Sequence, residues 1–279
     1  MKIFTFTDVN YFYYCLALCK SIRLNGNKQR IIVLLMDFNE KDLEVAKSFL
    51  KKIPDLETLE INSENYFKNK IVNREEFYRN YRINLYDKLL KEDKESLLSI
   101  CANGIVRVNL DNLKDIFENN DMVFLERPRK NNFSKSPEVI EGVYELADMI
   151  YDNNLNKKIN EILSDHTGRC VLTGFHFIKN NERSKKVVKK WKEYINENNK
   201  VYETKFCDMD YFVKSMIYNY KELNNKLKIY TAKNVPREIS PICDTTFGDR
   251  SLVWFGKGPS KFQKNKYTNA VNFLINQNK

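Results

Sequence analysis

The residues whose type and spacing best suit chemistry begin with Cys101-Ala102-Asn103, a polar triplet directly after the apolar run Leu97, Leu98 and Ile100. That run reads as a buried strand. In an open α/β sheet ligands bind at the carboxyl ends of strands, where the edges splay and loops reach over a crevice. Asp8 stands in a comparable place, after a short β-rich run at residues 2–7 and ahead of a helix, where it could also serve as the helix cap. Asp208 and Asp210 open a helix over Asp208–Tyr218. Two such carboxylates could deprotonate a hydroxyl, or simply favour a helix N-terminus. Arg82 offers a planar fork suited to oxygen-rich ligands, and Lys257 and Lys261 add positive charge near the end of the sequence.

Composition narrows the chemistry. Two histidines, His166 and His176, argue against a histidine metal site and against Ser-His-Asp catalysis. Eight glycines form neither a P-loop nor a GxGxxG fingerprint. The six cysteines show no CxxC pair and read as small buried hydrophobes. A formal charge of +10 invites nucleic acid, an anionic membrane surface or phosphorylated sugars, or is spread over a lysine-rich and asparagine-rich solvated surface. MKIFTFTD carries no signal-peptide core and no stretch approaches the ~20 apolar residues of a spanning helix, so the expected location is cytoplasmic.

The elements that must position these residues follow in βα order. A strand over residues 2–7 leads to a helix with stripe Tyr11, Cys15, Leu18 and Ile22, stopped by Asn25-Gly26-Asn27. Arg30–Met36 is a nearly continuous apolar run, as a strand buried on both faces requires. A helix over Glu40–Lys52, a strand over Leu56–Ile61 and a helix over Arg74–Leu90 come next. The spacing of Leu110, Leu113, Ile116 and Phe117 predicts an amphipathic helix, and Met122–Leu125 another strand. Residues 127–168 read as a helical excursion shaping an acceptor site. Cys170–Ile178 reads as a strand pair interrupted at Thr173-Gly174. A lysine-rich helix, a strand over Leu227–Tyr230, an apolar run Leu252–Phe255 and a basic tail complete the chain. The expected architecture is α/β, with a central, mostly parallel, Rossmann-like sheet flanked by helices.

CANGIVRVNLDNL resembles, position by position, the DADxLVxxNLDxL metal-binding run of GT-A glycosyltransferases, in particular family 8, with both aspartates replaced by Cys101 and Asn103. The resemblance covers most of residues 1–262 and is weaker over 127–168. It implies one GT-A domain: a nucleotide-binding half at 1–126, the excursion at 127–168, a sugar and acceptor half at 169–262 and a basic tail at 263–279. It also implies that Asp8 and Tyr11 hold a uracil, the aspartate accepting from the base and the tyrosine stacking on it, with Thr7 in the matching place before them, and that Arg82 reaches the donor sugar or a carboxylate beside it. LTGFHFI resembles the family's turn beside the donor sugar, carried here by Thr173 and Gly174. Asp208-Met209-Asp210 resembles the family's DQD near the anomeric carbon. FGKGPSK resembles HxxGxxK, with Gly258 and Lys261 matching and Phe255 in place of the metal-binding histidine.

All three family metal ligands are thus absent together, and a thiol and an amide suit Mg²⁺ or Mn²⁺ poorly. The expectation is transfer of a sugar from a UDP-sugar donor to a hydroxyl acceptor with no metal ligand and no tightly bound cofactor. Asp208 and Asp210 are the catalytic candidates. Thr7, Asp8, Tyr11, Arg82, Cys101, Asn103, Thr173, Gly174, Lys257, Gly258 and Lys261 would bind the donor, with the lysines offsetting charge on a departing diphosphate. The acceptor would be a glycan, a lipid-linked sugar or a lipopolysaccharide, the last two suited by membrane association through KGPSKFQKNKY, where Phe262 and Tyr267 lie among lysines. A catalytically silent GT-A domain that binds a glycan or nucleotide, and a sugar transferase acting on modified DNA bases, are the alternatives.

Overall fold

The computed structural model describes residues 1–65, 74–126, 171–198, 228–233, 243–244, 253–255 and 261–276, together with Ser215 and Asn219. Two compact units divide the chain: residues 1–70, 97–115 and 234–279 form the first, residues 71–96 and 116–233 the second.

The first unit is built on parallel strands β1 (Lys2–Thr7), β2 (Ile31–Met36), β3 (Leu56–Ile61) and β4 (Leu97–Ile100) in the order β3-β2-β1-β4. The chain moves outward from β1 to β3 and then returns to the other side of β1. In open α/β sheets the ligand crevice lies at such a reversal, which here means beyond the carboxyl ends of β1 and β4. All six side chains of β2 are buried, as its unbroken IIVLLM run requires of an inner strand. Helix α1 (Phe12–Leu24) follows a 3-10 turn at Val9–Tyr11, and α2 (Glu40–Leu50) is capped by Asn39, whose Oδ1 accepts from the Asp42 N–H at 2.8 Å.

A second, small sheet in this unit places β5 (Gly104–Val106) antiparallel to β10 (Val253–Phe255), with β9 (Cys243–Asp244) parallel to β10. The Asn25-Gly26-Asn27 turn does more than end α1. Asn25 Nδ2 donates to the Val106 carbonyl at 2.9 Å, and Asn27 Nδ2 to that of Val108 at 3.2 Å. Asn27 Oδ1 accepts from Leu110 N–H at 2.7 Å, and Ser21 Oγ from Val106 N–H at 3.0 Å. These bonds fix residues 105–110 against α1. Helix α6 (Lys261–Asn276; α3, α4 and α5 are given below) buries Tyr267, Val271 and Leu274 against Ala17 of α1 and Ile105 of β5.

The second unit holds α3 (Arg74–Glu92), which packs on α5 (Glu182–Asn198), and a sheet in the order β7-β6-β8, from β7 (Val171–Ile178), β6 (Met122–Glu126) and β8 (Ile229–Lys233). Strand β6 is antiparallel to β7 and parallel to β8. Buried Asp121 ties these parts together: its carboxylate accepts from Arg183 Nε and Nη2, both at 2.8 Å, from Asn181 Nδ2 at 2.6 Å and from Lys228 N–H at 2.8 Å. His176 is fully buried among Phe124, Tyr86 and Trp191, with ring centroids 5.9, 5.4 and 6.3 Å away. It is an interior histidine.

Three sequence expectations are corrected. Tyr11 does not start the buried stripe of the first helix. It is 47% exposed and Phe12 takes the buried place, because the 3-10 turn shifts the helical phase by one residue. Leu110–Phe117 is a 3-10 turn at Leu110–Leu113 running into short helix α4 (Lys114–Asn119). Cys170–Ile178 is not two strands but the single strand β7, whose register against β6 slips between the His176 and Leu172 pairings, so that Thr173-Gly174-Phe175 forms a bulge. The basic tail from residue 263, for which the sequence suggested no element, lies mostly in α6, an amphipathic helix with a buried stripe. Among the described residues no helix is long and apolar enough to cross a membrane.

Candidate active site

The crevice of the first unit begins at Thr7, the last residue of β1. Its side chain is buried, and its Oγ1 donates to the Asp8 carbonyl at 2.9 Å. Asp8 Oδ1 accepts from Tyr11 N–H at 3.0 Å, capping the 3-10 turn, while Oδ2 accepts from Asn10 Nδ2 at 3.4 Å. The capping role read from the sequence is therefore real. It orients the carboxylate at the strand end and leaves Tyr11 facing solvent. Val9, Tyr13 and Tyr14 are exposed beside it, making the end of β1 rich in aromatic surface.

At the end of β4, Cys101 and Asn103 are both half-buried, and Gly104 N–H donates to the Cys101 carbonyl at 2.8 Å, closing the turn. The antiparallel pairing of β5 with β10 then sets Phe255 opposite Gly104. Thus Cys101, Asn103 and Phe255, more than 150 residues apart in sequence at the extremes, come together at one turn. A hard divalent cation does not fit this donor set, which offers one soft thiol and one neutral amide from the turn. Among the described residues no three His, Cys, Asp or Glu side chains converge as a metal site would need.

An aromatic run joins the two ends of the crevice. Tyr11 lies 5.9 Å from Tyr14, and Tyr14 stacks on Tyr267 at 5.9 Å with an interplanar angle of 26°. The Tyr267 hydroxyl donates to the Asn103 carbonyl at 2.8 Å. Burial, with Tyr14 and Tyr11 nearby, pushes the Tyr267 phenol above its ordinary range, so it stays a donor at neutral pH. The sequence carried a usable signal for this helix: Tyr267, Val271 and Leu274 have i, i+4, i+7 spacing.

The remaining candidates fall elsewhere. Arg82, on α3 in the second unit, is 1% exposed, so it is no solvated helix arginine. Thr173 and Gly174 sit in the β7 bulge of the same unit. Lys261 opens α6 in the first unit. Asp208, Asp210, Lys257 and Gly258 lie outside the described residues. Cys15 and Cys19 are buried, and the Cys15 thiol is pushed up by its hydrogen bond to Cys19 and by burial, which makes a reactive thiolate there unfavourable.

A strand order that reverses at β1/β4 marks a doubly wound α/β sheet, and similarity to solved structures narrows the fold. The chain is similar to the galactosyltransferase LgtC, solved in complex with donor and acceptor sugar analogs, at 15% identity over 98% of this chain and 96% of that one, with a TM-score of 0.56. It is also similar to the bifunctional glycosyltransferase WbbM in its apo form, at 11% identity over 97% of this chain and 49% of that one, with a TM-score of 0.55. No protein-family model and no curated protein matches the sequence. The chain has the GT-A fold and resembles family 8 glycosyltransferases.

Proposed function

We propose that the protein transfers a sugar from a UDP-sugar to a hydroxyl acceptor and does so without a divalent metal. The observation that carries this reading is the pairing of Asp8 and Tyr11 at one side of the strand-order reversal with Cys101-Ala102-Asn103 at the other. The first pair suits a uracil, by hydrogen bond and by stacking. The second position faces the diphosphate in GT-A proteins, and its replaced carboxylates also remove negative charge that would repel a phosphate in the absence of a cation. The complex of LgtC with sugar analogs, in the same fold, supports the assignment of the crevice to a donor.

In this reading Lys257 and Lys261 offset charge on the departing diphosphate, with Gly258 allowing close approach. The bond from the anomeric carbon to the diphosphate oxygen breaks and one to the acceptor oxygen forms. Asp208 or Asp210 takes the acceptor proton, and the other carboxylate stabilises the oxocarbenium-like centre. Met209 stands where the family has a glutamine, and a thioether offers no nucleophile of that kind at the anomeric carbon.

The simultaneous replacement of three ligands also favours a second reading, a silent GT-A domain that binds nucleotide and does not turn over. Calorimetric titration with UDP, first with excess EDTA and then with Mn²⁺, tests the donor site. Equal affinity in both is the expected result. Binding only with Mn²⁺ overturns metal independence, and no binding overturns the uridine assignment. Release of free UDP from a panel of UDP-sugars then separates the enzyme from the silent domain.

A further inference from the structure

We propose that Tyr267 is a positioning residue for the diphosphate side of the donor crevice, acting through the backbone of Asn103. The inference rests on the donor reading above and extends it to helix α6. The turn at Cys101–Gly104 is held from one side by the pairing of β5 with β10 and from the other by the phenol of Tyr267. The carbonyl of half-buried Asn103 takes its donor from a rigid side chain with few rotamers. Its ring is fixed in turn by stacking on Tyr14, and its helix by Val271 and Leu274 packed against α1 and β5. Removing the hydroxyl frees the Asn103 carbonyl to rotate, and with it the side chains of Asn103 and Cys101. Tyr11 and Asp8, held by the separate 3-10 turn, stay in place. The loss is therefore confined to the part of the ligand that faces the turn.

Tyr267→Phe keeps the ring and deletes the hydroxyl. UDP affinity is expected to fall about fivefold, the scale of one hydrogen bond, while uridine affinity is unchanged. A purely structural role would weaken both ligands together, and that result, or no change in either, overturns the proposal. Amide hydrogen exchange at Asn103 and Gly104 without nucleotide supplies an independent reading, with faster exchange expected in the variant. If the wild-type protein binds neither UDP nor uridine, the donor reading fails by itself. Unchanged exchange in Tyr267→Phe then overturns the tether as well, whereas faster exchange keeps it as a device that orders this turn for another ligand.

Discussion

Tyr11 and Phe12 are adjacent, yet one is 47% exposed and the other 5%. An aromatic ring held in water at a strand end costs the fold nothing to remove. Tyr11→Ala is expected to leave the urea midpoint near that of the wild type and to weaken UDP about tenfold, since stacking on one base is worth ~1–3 kcal/mol. Asp121 shows the opposite balance. Burial opposes its charge, but hydrogen bonds from Arg183, Lys228 N–H and Asn181 outweigh burial and hold the carboxyl below the usual range. A depressed folded-state value contributes stability that is present above the unfolded value near 4 and is lost as pH falls through the folded one. Asp121→Asn should therefore cost about 3 kcal/mol by urea unfolding at pH 7, and the gap to wild type should narrow toward acid. A gap that persists unchanged to pH 2 would refute the ionic account.

Elements were legible where one physical rule acted alone. Strand β3 falls on Leu56–Ile61 as the sequence suggests, and the IIVLLM run needs no tertiary information to read as an inner strand. Errors arose where two rules competed. The 3-10 turn at Val9–Tyr11 moved the buried face of α1 from Tyr11 to Phe12, and the β7 bulge made one strand look like two. In α6, lysine and asparagine between the apolar positions hid the stripe. Yet Tyr267, Val271 and Leu274 are buried, and Tyr267 cannot serve as a membrane anchor from that position. Leu274→Ala should cost about 2–4 kcal/mol in chemical unfolding, which a loose tail residue would not. Asn27→Ala removes bonds to Ile22, Val108 and Leu110 at once, so a loss of about 2–3 kcal/mol is expected, with accelerated amide exchange at Leu110 as its local signature.

At the scale of the molecule, the formal charge of +10 is what remains after every acid is counted against a base, and some of the described cations have local partners. Lys91 and Lys192 meet Asp87, Lys47 meets Glu60, Lys190 meets Glu193, and Arg23 donates to three carbonyls. Exposed charge acts on phosphates only within a Debye length, ~8 Å at physiological salt. Duplex DNA is expected to bind only at low salt and to dissociate at physiological ionic strength, and retention there in a mobility-shift assay would revive the nucleic-acid alternative. The GT-A pattern is readable in the sequence at Asp8, Tyr11 and Cys101–Asn103, and the structure places those residues just after β1 and β4, which is where the donor proposal puts them to use. The Tyr267 tether was not readable there, because nothing in a local pattern reveals that a helix 164 residues downstream will supply a donor to one carbonyl. That distance also sets an order of events in the cell. The residues of the second unit are synthesised before β10 and α6, so the face of α1 at Ala17 and the edge of β5 lack these partners while more than a hundred residues are added. The crevice is the last part of the first unit to close, and a nascent chain stalled before residue 261 would expose Ala17 and Ile105 to whatever chaperone is at hand.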